Sequence, residues 1–590
     1  MARRNLYSGT GLPSLLTDRD ILPHILKHLD DKKERLAIRL LSSDIRATFD
    51  AQSQLLIAAC RLGDDISKVE LTVRGILGRS CRPSKVHLIT EGAELAQKQR
   101  LGIRLLRPFA DASRNSPLPT TWLLAHTSLL AADTAPHAVA KAFPERQSLT
   151  LWDDGACDEA FAAALQLLLG TAAGSSAPQP LLPGLNDMGL VMPDLRLKDL
   201  PDLPPAVAAG LRGATQLRQL QLSYNLPAAA AEPAVVQDLA GLVGLESLWM
   251  GYMGAPLIRP LFQPLTGLTS LTFRCPERLP ADVLAGLPAG LAELTADDSY
   301  VDVSGLSRLS SLTQLSCAAL VAPPGPVAPL VPVAAPRSWA LPPRLASCAL
   351  FGQRPEQLPR LRPHAPVRWD VVLRLKAGQH LSPDASLLPE AESALCQASG
   401  ILAEFMAPKS LLAVMEDRNT LVIKPVGGEA AVGPGRRNHK AWLEALGRTS
   451  VSDLLLQGIA LSHQDVETIS CMRSVEALHI WRLCDYPSSA LPLLGRLPAL
   501  MELSLDVNGW IGGSNKEGPV KIPTYANGAL MALCNDGRVR GRALTVKLIF
   551  ARTLAEAVKS QLTKAVEKLK KELRLLGTDP KALMLVAYPT

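Results

Sequence analysis

Along residues 217–225, LRQLQLSYN, leucine recurs at the first, fourth and sixth places (Leu217, Leu220, Leu222) and Asn225 closes the ninth. The L-x-L alternation has the period of a strand: Leu220 and Leu222 share one face, and Gln219, Gln221 and Ser223 share the other. The frame recurs along the chain. It holds Met192, Leu195, Leu197 and Leu200 upstream; then Leu245, Leu248 and Met250; then Leu268, Leu271 and Phe273. Leu291, Leu294 and Ala296 follow, then Leu312, Leu315, Cys317 and Leu320, and a weaker copy at Leu345, Cys348 and Leu350. Successive copies begin 25, 28, 23, 23, 21 and 33 residues apart, and the widest interval holds a proline-rich insert. Three more copies begin at Val451, Val475 and Leu500.

A single short strand cannot bury its leucine face, but stacked copies can, by forming a parallel sheet. Helices throughout are excluded by the L-x-L alternation and by the prolines and glycines between copies. The pattern resembles the leucine-rich-repeat family, whose rung reads L-x-x-L-x-L-x-x-N/C-x-L. The likeness is specific over 190–355 and 450–510 and extends back towards residue 80. It implies an α/β fold: an irregular leucine-rich-repeat solenoid, with a curved parallel sheet and helices or loops outside. The ninth place keeps asparagine at Asn225 and Asn508 but holds Met253, Pro276, Ser299 and Leu320 elsewhere, hence the irregularity.

Residues 15–50 have a different rhythm. Ile21, Leu22, Ile25, Leu26 and Leu29 follow helical spacing, as do Leu36, Leu40 and Leu41. Short amphipathic helices before such an array resemble an F-box, the module that docks on the adaptor of a cullin-type ubiquitin ligase. The resemblance implies adaptor contacts at Leu22, Ile25, Leu26, Leu29 and Leu40. The Leu-Pro pairs at 12–13 and 22–23 depart from the family's spacing, and a helical N-terminal cap for the array needs the same apolar residues.

The expected organisation is an F-box-like segment or cap over 1–60 and repeats over 61–355 with the insert 321–343. An irregular extended unit or insert over 356–450 and repeats over 451–590 follow. In the irregular part, 368–376 and 419–427 read as strands around a helix at 387–406. The chain ends as a βαβ cap: strand 542–550, helix 553–577 with Leu554, Val558, Leu562, Val566, Leu569 and Leu573 on one face, and strand 581–589.

Composition narrows the chemistry. In 590 residues the net charge is +7, aromatics are 4% and prolines number 47, so the core is built of Leu, Ala and Val. The basic residues are interspersed with acidic ones, and nucleic-acid binding is not expected. Ten single cysteines without a C-x-x-C pair point to reduced thiols, and no apolar run free of prolines is long enough to span a membrane. A cytoplasmic or nuclear protein is the expectation. His24 and His28 lack a third ligand, no nucleophile elbow occurs, and Asp153-Asp154 does not read as an acid/base couple. Neither an enzyme nor a metal or cofactor is expected.

Binding then falls to the residues between the leucines. On the concave face the expected partner contacts are Gln219, Gln221, Trp249, Tyr252, Arg274, His479 and Trp481, since aromatic and arginine side chains dominate interface energetics. The alternative is that inserted segments of the same chain cover these aromatics. The implied function is protein binding, as the substrate-recognition subunit of a ubiquitin ligase; the alternative is a scaffolding repeat protein.

Overall fold

The rung at 217–225 is a strand over Gln219–Leu222 in which the glutamines are exposed and the leucines buried, as the alternation requires. The computed structural model describes residues 54–588, apart from 62, 80, 92–93, 172–178, 193–198, 230–231, 324–337, 377–388, 407–419, 427–438, 458, 460, 482–487, 507–527, 535–543 and 552–555. The chain divides into two units, Met1–Arg274 with Gly286–Gly290, and Cys275–Ala285 with Leu291–Thr590.

In the first unit the strands are β1 (Leu55–Cys60), β2 (Lys85–Thr90), β3 (Trp122–His126), β4 (Ser148–Trp152), β5 (Asp187–Val191), β6 (Gln219–Leu222), β7 (Ser247–Tyr252) and β8 (Ser270–Arg274). Each pairs in parallel with the next. Parallel neighbours require a crossover, and helices supply it, from Ile66–Gly78 after β1 to Ala255–Phe262 after β7. Helix Glu159–Leu169 shows why such segments form: Asp158 accepts from the Phe161 amide at its start, and Gly170, at φ 71°, turns the chain out at its end.

The second unit repeats the plan. Its strands are β9 (Arg278–Leu279), β10 (Glu293–Asp302), β11 (Gln314–Val321), β12 (Trp339–Ala340), β13 (Ser347–Gln353), β14 (Leu361–Arg362) and β15 (Arg368–Lys376). They continue as β16 (Thr420–Val426), β17 (Asp453–Gln457), β18 (Ala477–Trp481), β19 (Glu502–Asp506), β20 (Thr545–Ala551) and β21 (Leu583–Tyr588). From β9 to β21 neighbours again pair in parallel, while β12 and β14 form a separate pair beside the sheet. The segment 356–450 therefore supplies two rungs, β15 and β16, joined by the helix Pro389–Phe405. The terminal helix, Glu556–Leu575, buries Leu562, Val566, Leu569 and Leu573 and ends before Gly577, at φ 70°.

In the rungs of β6, β7, β8, β10, β11 and β13 the first place of the frame is a buried leucine. Leu217, Leu245, Leu268, Leu291, Leu312 and Leu345 are at most 2% exposed, each contributing about 2 kcal/mol of burial. The rung of β4 breaks this rule, because its frame starts at Arg146 and continues through Leu149 and Leu151. Arg146 is fully buried, its three side-chain nitrogens meet no hydrogen-bond acceptor, and burial lowers its guanidinium to about 9.

The ninth place ties rungs together. Asn225 donates through Nδ2 to the Leu200 carbonyl and accepts at Oδ1 from the Tyr252 amide at 2.8 Å. Gln353 does the same work in the second unit: fully buried, it accepts from the Leu320 amide at 2.9 Å and donates to the Arg354 carbonyl at 3.2 Å. Buried backbone groups must be paired, and a longer amide side chain meets that need as well as asparagine does. Among the described residues no helix is long and apolar enough to cross a membrane.

Candidate protein-interaction face

In the first unit, one side of the sheet packs against the helices and the other is open. The register aligns the open side in two rows across the strands. One row runs Leu55, Lys85, Trp122, Ser148, Asp187, Gln219, Ser247 and Ser270. The next runs Ile57, His87, Leu124, Thr150, Gly189, Gln221, Trp249 and Thr272. Leu55 and Ile57 are 43% and 45% exposed. His87 meets the Trp122 ring edge-on at 4.9 Å, and Lys85 Nζ stands 5.8 Å from the same ring. The Trp122 indole donates to Thr150 Oγ1 at 3.1 Å, which fixes the ring over the face. Trp152, one place further along β4, meets His126 edge-on at 5.7 Å. Trp122 and Trp249 lie four strands apart, about 19 Å at ordinary strand spacing. Between them Ser148, Thr150 and Gly189 make a low floor.

At the end of β3 and β4 a polar cluster closes this face. Thr127 Oγ1 donates towards Asp153 at 3.2 Å and Asp154 at 2.9 Å, and Lys98 pairs with Asp154 at 3.0 Å. Tyr224 donates to Asp153 Oδ2 at 2.7 Å, and Cys157 stands 3.5 Å from Asp153 and 3.4 Å from the Tyr224 hydroxyl. Burial pushes the Cys157 thiol up to about 12, so it is protonated at neutral pH and unsuited to nucleophilic attack. His126 lies 3.8 Å from Asp154, but burial outweighs that attraction and lowers its pKa, leaving a neutral ring. Hydrogen bonds from Ser128, Lys98 and Thr127 outweigh the burial of Asp154 and keep its pKa below the usual carboxylate value. The arrangement ties together segments that follow β2, β3, β4 and β6. Among the described residues no group of three His, Cys, Asp or Glu side chains could hold a metal ion.

The expected contact residues divide between the units. Gln219 and Gln221 are exposed and Trp249 is half-buried on the same side. Tyr252 and Arg274 are register partners across β7 and β8, after an irregularity that begins at Trp249. In the second unit His479 and Trp481 lie on the open side of β18, edge to face at 6.0 Å, with His479 Nε2 3.2 Å from Asp453. Two readings need correction. Ser223 does not face outward with Gln219 and Gln221: it is buried, since the strand ends at Leu222, and Tyr224 after it turns in to reach Asp153. Asp153 and Asp154, expected to be no couple because strand neighbours point to opposite faces, in fact follow β4 and both reach Thr127. Leu22, Ile25, Leu26, Leu29 and Leu40, and with them the F-box-like segment, lie outside the described residues, as does most of the proline-rich insert.

Sequence reading missed Leu55, Ile57, Trp122 and Trp152. The signal was there in SLTLW, where Leu149 and Leu151 keep the L-x-L alternation and put Trp152 on the opposite side. Arg146 at the first place hid that rung.

No protein-family model and no curated protein matches the chain. Solved structures to which it is similar include a leucine-rich-repeat protein of Leptospira interrogans, at 13% identity over 74% of this chain and 92% of that one, TM-score 0.31. An internalin from Listeria monocytogenes is similar at 13% identity over 81% of this chain and 96% of that one, TM-score 0.30. TLR13 in its complex with ssRNA13 is similar at 13% identity over 76% of this chain and 57% of that one, TM-score 0.35. The repeat architecture described above is read from this chain's own strands, its leucines and their register.

Proposed function

We propose that the chain is a protein-binding module that takes its partner on the open side of the first unit's sheet. The observation that carries this reading is the run of Leu55, Ile57, Trp122, Trp152 and Trp249 on the side that the helices leave uncovered. Large apolar side chains held at a surface gain free energy when a partner covers them, and tryptophan is the commonest anchor.

The partner is a substrate of a cullin-type ubiquitin ligase in the fuller form of this reading. The N-terminal segment that resembles an F-box grips the ligase adaptor through Leu22, Ile25, Leu26, Leu29 and Leu40, while the open face holds the target. The scaffolding alternative is favoured by the Leu-Pro pairs that fall outside the F-box spacing. Capture of purified adaptor by the full chain separates the two. Binding that is lost in Leu26→Asp supports the ligase role, and no capture, or capture unchanged by Leu26→Asp, leaves the scaffold. Partner binding itself is tested by Trp122→Ser with Trp152→Ser. A loss of affinity of about 30-fold or more is expected, at an unchanged thermal midpoint.

A further inference from the structure

On the second unit's open side the chemistry differs. Along β13 Cys348 and Leu350 are buried, while Phe351 is 45% exposed. Among the described large apolar side chains that stay exposed, it alone is aromatic. The register between β13 and β15 breaks between Leu350 and Gln353, so Phe351 and Gly352 bulge from the ladder. Gln353 anchors the end of that bulge through its bonds to Leu320 and Arg354, which holds Phe351 outward.

Arg374, two places beyond Val372 on β15, reaches back over the bulge. A Cβ at Gly352 would stand 3.4 Å from Arg374 Nε and 3.5 Å from its Cζ, so the guanidinium lies beside the space that a side chain at Gly352 would need. Arg368, on the same strand, already has Asp370 at 3.7 Å. No carboxylate among the described residues pairs with Arg374. In register Val372 stands opposite Val422, so apolar ground lies near Arg374.

We propose that Phe351 and Arg374 on the second unit's open face form a docking site for an acidic peptide segment, whose carboxylate pairs with Arg374 and whose apolar neighbour covers Phe351. A guanidinium offers a carboxylate two parallel hydrogen bonds in a planar fork. A nucleic acid fits less well. Single strands call for successive stacking rings and a continuous basic track, whereas the described residues of β13 and β15 offer one exposed ring, with the carboxylates of Asp370 and Asp453 on the same side of the sheet. The site belongs to the second unit and goes beyond the function proposed above.

The test uses the full chain and three labelled probes: a random copolymer of glutamate and tyrosine, polyglutamate, and a single-stranded RNA oligomer. The copolymer is expected to bind most tightly, and binding to weaken about tenfold in Arg374→Glu and in Phe351→Ser. Gly352→Val, which keeps charge and ring but crowds the guanidinium, should weaken it as well. Arg344→Glu and Trp122→Ser should leave it unchanged. Circular dichroism selects folded variants, and Arg374→Gln replaces the glutamate variant if that one unfolds. Absence of copolymer binding, tighter binding of RNA, or an equal loss in Arg344→Glu overturns the proposal.

Discussion

The guanidinium of Arg146 lies 5.1 Å from the ring of Phe143, in the core place that Leu217 fills two rungs later. A cation there loses its hydration without gaining an acceptor, and the aromatic face returns only part of the cost. Arg146→Leu should therefore stabilise the protein by about 1–4 kcal/mol, read as a higher thermal midpoint. Arg146→Lys should bring no gain. A lower midpoint for the leucine variant would mean that an acceptor reaches the arginine in solution.

His87 and His126 make the first unit sensitive to acid. Burial is the main cause that lowers both below their ordinary value of 6.5, with Lys85 adding to the effect at His87 and Asp154 partly opposing it at His126. The unfolded chain therefore binds more protons than the folded one near and below that value. The stabilisation is complete above about pH 6.5 and is lost as pH falls through the lowered folded values. Urea midpoints should drop between about pH 7.5 and pH 5.5, and the drop should shrink in His126→Asn. A slope unchanged in that variant would remove His126 from the account.

Asn225 and Gln353 should behave alike despite their different lengths. Removing Asn225 leaves the Tyr252 amide and the Leu200 carbonyl without their partner; removing Gln353 strands the Leu320 amide. Each alanine variant is expected to lose about 1–3 kcal/mol for every stranded group, measured by urea unfolding. Equal stability of wild type and Gln353→Ala would show that Gln353 is no counterpart of Asn225.

Thiol reactivity should follow burial. Cys471 is exposed, whereas burial raises the thiols of Cys157, Cys317 and Cys348. Iodoacetamide at neutral pH should label Cys471 first, with the other three protected until denaturant is added, as read by peptide mass mapping. Early labelling of Cys157 would contradict its place between Asp153 and Tyr224.

How much could be read from the chain depended on which rung place carried the signal. Where the first, fourth and sixth places are leucine, as at Leu217, Leu220 and Leu222, the strand and its buried face followed from the alternation. Strand-like runs also marked β15, and helical spacing marked the terminal helix with its buried Leu562 and Leu569. Towards the N-terminus the first place becomes Thr120 in the rung of β3 and Arg146 in that of β4, and the frame fades although the strands persist. Faces were not always legible, even within strands. Ser504 and Asp506 alternate with leucines along β19 yet are buried, as Tyr224 is beyond the end of β6. For Tyr224 the cause is Asp153, a partner 71 residues away that no local pattern reveals.

Strands that pair mostly with near neighbours in sequence also set how the protein meets force. In a fold closed by long-range pairing, pulling on the ends loads many bonds at once and the whole domain gives way together. Within either unit here, tension reaches one terminal rung at a time, and that rung can peel away while its neighbours keep theirs. Each rung holds about 25 residues and so releases about 80–90 Å of extended chain. The extension trace of such a chain is a series of small steps, and a partner seated across several rungs acts as a clamp that turns those steps into one.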